Sequence, residues 1–331
     1  MPKVIDMHCD TVLGMLEKEE KNEKINAVNN DLCIDLEKLK KGDYLLQCFA
    51  LFTDRNLYPI PEAQTLKLMD QYHRMLEENT DKIAPVYHFE DIEKNRKEGK
   101  ISAMLTLEDG GVVFGNIAML RNYYRMGVRM ITLTWNYENG IGYPNVASKP
   151  FSDYKTVDFH QQVDTVHGLT TFGKEYVREM ERLGIIIDVS HLNDAGFWDV
   201  ANMCTKPFVA SHSNARALCN VARNMSDEMI LALKEKGGVM GLNFCADFLK
   251  KGSTKSCIED MVQHILYIKE LAGIDVIALG TDYDGINCKL EIEDCSQIQK
   301  LSKALIKAGL SQEEVEKIFY KNALRVFEQV I

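Results

Sequence analysis

Short apolar and β-branched runs recur along the whole chain. They fall at Val4–Cys9, Tyr44–Phe52, Ile101–Leu107, Val128–Trp135, Gly184–Val189, Phe208–Ala210, Gly237–Phe244 and Val276–Gly280. Most are near-continuously apolar, the pattern of parallel strands covered on both faces. Between them, apolar residues recur at three- and four-residue spacing, which predicts helices over Glu62–Asn79, Asn116–Met126, Thr171–Leu183, Asp194–Met203, Asp227–Lys236 and Ile258–Ala272. Two more helices are predicted at the end, near Ser296–Lys307 and Gln312–Val330. Gly309 closes the first of these, and Ser311 with Glu314 forms a capping box for the second.

Strand–helix alternation repeated eight times predicts an α/β fold, a (β/α)8 TIM barrel. An open doubly wound sheet is the alternative. It is disfavoured because no glycine-rich phosphate loop follows an early strand. The longest irregular stretch, Asn136–Gly168, follows the fourth strand and is rich in turn formers. A loop of this length predicts an active-site cover or a partner surface. The 331 residues allow two domains, but no linker or composition shift divides them, so a single domain over 1–331 is expected.

Charge narrows the partners. Lys plus Arg is 39 and Asp plus Glu is 49, a net charge of −10, which argues against nucleic acid and against an anionic membrane surface. The apolar runs are too short for a bilayer span, and MPKVIDMHCD has no basic region followed by a long apolar stretch, so no signal peptide is expected. The nine cysteines are scattered without a CxxC pair. They read as reduced thiols, so a cytoplasmic location is expected.

In a barrel, catalytic side chains sit at the C-terminal ends of the strands. Here the ends read His8-Cys9-Asp10, Glu108-Asp109, Asp188-Val189-Ser190-His191, Ser211-His212-Ser213 and Asp282-Tyr283-Asp284. Alternation along a strand sends His8 and Asp10 into the barrel mouth and Cys9 toward the outer helices. Three imidazoles and two carboxylates converging there predict a divalent-metal site, and a carboxylate is suited to bridging two ions. An isolated HxD pair on a loop would not carry that reading. The set of five does, because its members sit on several different strand ends.

The order and spacing of several segments are specific. They are IDMHCD, LEDGG, MGVRMITLTW, GLTTFGKEYVREMERLGIIIDVSH, SHSNARALCNVARN, LNF, LGTDYDG and the terminal NALRVF. In these the chain resembles the membrane (renal) dipeptidase family of zinc peptidases, within the metal-dependent amidohydrolase barrels, over nearly its whole length. The resemblance implies a zinc dipeptidase with two zinc ions per chain. His8 and Asp10 would bind one ion, His191 and His212 the other. Glu108 and a water would bridge them, and Asp282 would handle that water's proton. Arg223 would bind the terminal carboxylate of a dipeptide substrate. The charges agree: two zinc ions are balanced by three carboxylates and one hydroxide, which a desolvated pocket requires. The resemblance further implies tolerance of a D-residue at the C-terminal position, and a homodimer.

One position departs from the family. TLTW places Trp135 where better-known members have a histidine that polarises the scissile carbonyl. Three readings follow: Trp135 walls the pocket, its indole N–H donates to the oxyanion, or Asn136 or Tyr137 takes the role. Other readings of the whole chain are hydrolysis of an N-acyl amino acid or a β-lactam, or a metal-binding small-ligand protein without peptidase turnover. Of the remaining histidines, His73, His88 and His264 read as structural, while His160 and His167 lie in the long loop. Asp109 and Asp284 read as supporting or turn residues, and Asp188 as either a supporting partner or an inner barrel residue.

Overall fold

The computed structural model describes residues 1–145 and 163–331. Eight parallel strands close into a barrel. In chain order they are Val4–Asp6, Tyr44–Phe52, Ile101–Glu108, Val128–Thr132, Ile186–Asp188, Val209–Ala210, Val239–Leu242 and Ile277–Leu279. Each pairs with its neighbour, and the first and eighth close the ring through Asp6 opposite Leu279. The longest contact joins the second and third strands, in register from Leu46↔Ser102 to Phe52↔Glu108. An extra three-residue strand, Ile83–Pro85, shares the third strand's edge below the fourth.

Alternation along the strands divides two layers. Inward residues such as Ile5, Met7, Cys48, Met104, Met130 and Ile186 fill the lumen, and Ala323, Val326, Phe327 and Val330 of the last helix plug its lower end. Outward residues, including Val4, Cys9, Phe49, Leu105, Leu107 and Ile131, pack beneath the surrounding helices. Cys9 packs outward although it has the parity of the inward Ile5 and Met7, because the first strand ends at Asp6 and its alternation does not run on to the mouth. With one end plugged, only the C-terminal ends of the strands can form a polar mouth.

The helices Thr171–Leu183, Asp194–Met203 and Ile258–Ala272 coincide with their periodicity. Three further helices, Thr11–Glu20, Leu36–Gly42 and Phe89–Lys97, lie outside the predicted set; the last buries only Ile92 and Asn95, while the first buries Val12, Met15 and Leu16 at helical spacing. The capping box stands: Glu314 N–H donates to Ser311 Oγ at 3.2 Å, and Ser311 N–H to Glu314 Oε2 at 2.8 Å. The helix it opens is not continuous. Gln312–Glu316 passes through a π-helical turn, Lys317–Lys321, into Asn322–Val330. The inserted residue shifts the register so that Asn322 Nδ2 donates to Ile274 O and Ile277 O, both at 2.8 Å. No helix among the described residues is long and apolar enough to cross a membrane.

Candidate metal centre and active site

Two buried aspartates staple the strand ends that carry the site. Asp6 accepts from Thr281 N at 2.8 Å, Thr281 Oγ1 at 2.7 Å and His8 N at 3.3 Å, tying the first strand to the eighth. Asp188 accepts from Ser190 N at 3.0 Å and Ser211 N at 2.8 Å, and from the hydroxyls of Thr132 and Ser211, tying the fourth, fifth and sixth. Held this way, His191 and Asp282 take left-handed backbone conformations, with φ 68° and 63°. Such conformations cost about 1–3 kcal/mol each and persist where surrounding bonds over-determine them.

The structure brings His8, Asp10, Glu108, His191, His212 and Asp282 together. Glu108 Oε1 lies 3.0 Å from His191 Nε2 and 3.7 Å from His212 Nε2, while Oε2 lies 3.4 Å from His8 Nε2. His8 Nε2 is also 3.5 Å from Asp10 Oδ2 and 3.9 Å from Asp282 Oδ1. Potential ligand atoms within 4.8 Å of one another form two overlapping groups, His8–Glu108–His212 and His8–Asp10–Asp282. His8 belongs to both, and its ring stacks on that of His212 at 3.8 Å.

The donor set fits a divalent cation. His8 Nε2 and Asp10 Oδ1 are buried without a hydrogen-bond partner. Leaving such atoms unpaired costs about 1–3 kcal/mol apiece, which coordination would relieve. Burial, followed by the nearby Arg223 charge, pulls His191 down to about 4. Burial and the neighbouring His8 pull His212 well below the usual histidine range. Burial pushes Glu108 up, but His8 and His191 together outweigh it and leave the carboxyl below its ordinary range. His191 and His212 are thus neutral beside an ionised Glu108, as metal ligands must be, whereas Glu108 and Asp10 outweigh burial and raise His8 well above the usual histidine range, so His8 must give up a proton when a cation binds.

Support around these groups was only partly foreseen from the sequence. Asn136 Oδ1 lies 2.8 Å from His191 Nδ1, so Asn136 is engaged with one of the clustered imidazoles. Asn243 Nδ2 donates to Asp282 Oδ2 at 2.9 Å. Asp284 anchors turns, accepting from Thr11 Oγ1 and Cys33 N. Asp109 pairs with Arg55 Nε at 2.8 Å. The sequence offers Asn136 only as a stand-in for the missing histidine, and it does not single out Asn243 or Asp6. For Asp6 a signal existed, since an aspartate inside an apolar strand must find donors.

Arg223 is buried. Its Nη1 donates to Ser213 Oγ at 2.8 Å and its Nη2 to His212 O at 2.9 Å, while Nε has no partner. Trp135 packs on Phe52 at 4.7 Å, Tyr137 at 5.5 Å and His191 at 6.4 Å between ring centroids. The Tyr137 hydroxyl accepts from Arg55 N at 3.0 Å. The indole thus lies beside His191 as part of an aromatic wall. His167 is exposed and paired with Asp164, and His264 bonds Leu249 O. His160 lies outside the described residues.

A parallel barrel with imidazoles and carboxylates gathered at one mouth defines the class of metal-dependent hydrolases. Within that class the chain belongs to the membrane dipeptidase family (peptidase family M19), whose sequence profile matches residues 1–331, and it is a metal-dependent dipeptidase. A Klebsiella pneumoniae protein described as an uncharacterized protein in the pqqA 5′ region is 35% identical over 243 residues, covering 72% of this chain and 86% of that one. An uncharacterized dipeptidase, C965.12, of Schizosaccharomyces pombe is 32% identical, covering 99% and 80%. A solved metallopeptidase from Rhodobacter sphaeroides, liganded with a phosphinate mimic of L-Ala-D-Ala, has the same fold. Its TM-score is 0.88 at 22% identity, covering 100% of this chain and 99% of that one.

Proposed function

We propose that this dipeptidase hydrolyses free dipeptides at a binuclear zinc centre, accepting a D-residue at the C-terminal position. The observation that carries the reading is the division of Glu108: one oxygen faces His191 and His212, the other His8, as a carboxylate shared by two ions would be. His8 and Asp10 would hold one ion, His191 and His212 the other. The Rhodobacter sphaeroides protein of like fold takes a mimic of an L,D-dipeptide, which supports the substrate class and its stereochemistry.

When bound, the metal pair supplies a Lewis acid for the peptide carbonyl and lowers the pKa of a water. The remaining work belongs to the chain. Asp282 takes the attacking water's proton and passes it to the leaving amine. Burial pushes its carboxyl up to about 7 in the metal-free site, and bound cations beside it would lower it, leaving an ionised carboxylate to accept the proton. Asn243 holds that carboxylate through Oδ2, leaving Oδ1 toward His8. Arg223, with Nε unpaired, receives the substrate carboxylate. Trp135 walls the pocket beside His191, and burial of the centre excludes bulk water.

The test is a panel of L,L- and L,D-dipeptides offered to zinc-loaded protein and to a chelated control. Cleavage that depends on metal, with two ions retained per chain, is expected. Two bound ions with no dipeptide turned over would instead indicate another amide substrate or a non-catalytic ligand carrier. Fewer than one retained ion per chain would remove the binuclear centre.

A further inference from the structure

Asp188 is fully buried at the end of the fifth strand and touches no metal-facing ligand atom directly. Its two oxygens do different work. Oδ1 accepts the backbone N–H groups of Ser190 and Ser211, which staples the strand ends. Oδ2 accepts the hydroxyls of Thr132 at 2.6 Å and Ser211 at 2.5 Å. Ser211 Oγ in turn lies 2.7 Å from His212 Nδ1.

Proton counting fixes the direction of this chain. A serine hydroxyl has one hydrogen, and here it goes to the carboxylate. Ser211 Oγ is therefore an acceptor toward His212, so the ring hydrogen of His212 sits on Nδ1 and Nε2 keeps its lone pair. Across the site, Asn136 Oδ1 accepts from His191 Nδ1, which leaves His191 Nε2 bare as well. The two bare Nε2 atoms stand 3.0 Å apart. Lone pairs opposed at that distance repel, and a cation held by both removes the repulsion.

We propose that Asp188 and Ser211 form a positioning relay that fixes His212 as the Nδ1–H tautomer and thereby sets the cation affinity of the two-histidine end of the centre. The inference rests on the metal-centre reading above. It differs from a purely structural role for Asp188 because only the Oδ2 branch reaches His212. Ser211→Ala removes that branch and leaves the Oδ1 staple in place. Ser211→Thr keeps the hydroxyl. Asp188→Asn presents an amide that donates to Ser211 Oγ. This turns the hydroxyl toward Nδ1 and drives the ring hydrogen onto Nε2, the wrong nitrogen for a ligand.

Two measurements test the relay. Zinc retention against graded chelator should fall roughly 10–100-fold for one of the two ions in Ser211→Ala, recover in Ser211→Thr, and fall further in Asp188→Asn. Nitrogen NMR of the metal-free protein should show His212 protonated on Nδ1 in the wild type and on Nε2 in Asp188→Asn. Wild-type retention of both ions by Ser211→Ala, or a wild-type His212 protonated on Nε2, overturns the relay. If the wild type takes up no zinc, the metal-centre reading falls and the affinity claim with it, while the NMR measurement still decides the tautomer.

Discussion

Gly285 lies against the carboxylate of Asp10: a Cβ added to the glycine would stand 2.1 Å from Asp10 Oδ2, and 2.7 Å from Asp282 Oδ1. Bare backbone thus sets how closely these two carboxylates approach. Gly285→Ala is expected to displace both, with an overpacking cost of about 1–3 kcal/mol. Zinc affinity should drop at the His8–Asp10 end, read by chelator competition. Gly252→Ala is the control. Its φ of 72° is strained for alanine, but a Cβ there meets nothing within 4 Å, so zinc binding should not change. Equal zinc affinity in the two variants would contradict the steric role of Gly285.

Arg223 offers a separable measurement. Its two Nη atoms each spend one hydrogen, on Ser213 Oγ and His212 O, and the N–H of Nε is unpaired. Arg223→Lys supplies a point charge without the planar fork. Losing a charged hydrogen bond costs about 1.5–3 kcal/mol, or roughly 10–150-fold. That loss should appear mainly in KM for free dipeptides. Dipeptide amides, lacking the carboxylate, should be cleaved nearly alike by variant and wild type. A variant that loses kcat equally on both substrates would place Arg223 outside carboxylate recognition.

How legible these features were from sequence varied with their physical cause. The eight strands were readable because both faces of each are buried, which leaves continuous apolar runs such as Tyr44–Phe52. Phe89–Lys97 was not, because it buries only Ile92 and Asn95. The residues now gathered at the mouth stood out because polar side chains ended apolar strands. The apportioning of bonds among them was not legible. Asn136 follows Trp135 in a loop, and no local pattern indicates that its amide oxygen meets His191. Gly285 reads as a turn residue until its neighbours across the mouth are known. Contacts between strands far apart in sequence leave no periodic trace in either partner.

Protons and metal compete for the same carboxylates. Burial and the adjacent Glu108 push Asp10 up to about 6, and burial above all pushes Asp282 up to about 7. A raised carboxyl pKa means that the proton is held to higher pH and must leave before a cation binds. Zinc affinity is therefore expected to climb with pH through this range and to go on climbing above about 7, because Glu108 and Asp10 also hold a proton on His8 well above its ordinary range. Below about 6 it should fall roughly tenfold per unit for each proton displaced. His191, pulled down to about 4, adds to the loss only in more acid solution. Competition titrations at pH 7.5, 6.5 and 5.5 would check this, and a flat profile would mean that Asp10 is not displaced by the metal.

Trp135 presents the sharpest question about rate, because its ring stands beside His191 on Phe52 and Tyr137. Two of its chemistries separate by substitution. Trp135→Phe keeps an aromatic wall and removes the indole N–H; Trp135→Ala removes both. Aromatic contacts contribute about 0.5–1.5 kcal/mol beyond burial, so Trp135→Ala should lower kcat/KM on dipeptides roughly 2–12-fold while both metal ions are retained. If the wall is what matters, Trp135→Phe stays near wild type. If the N–H donates to the developing oxyanion, Trp135→Phe instead falls in kcat with KM little changed, since such a contact strengthens only in the transition state. An alanine variant with unchanged efficiency on every dipeptide cleaved would remove Trp135 from the substrate's surroundings altogether. That result would leave polarisation of the carbonyl to the metal alone.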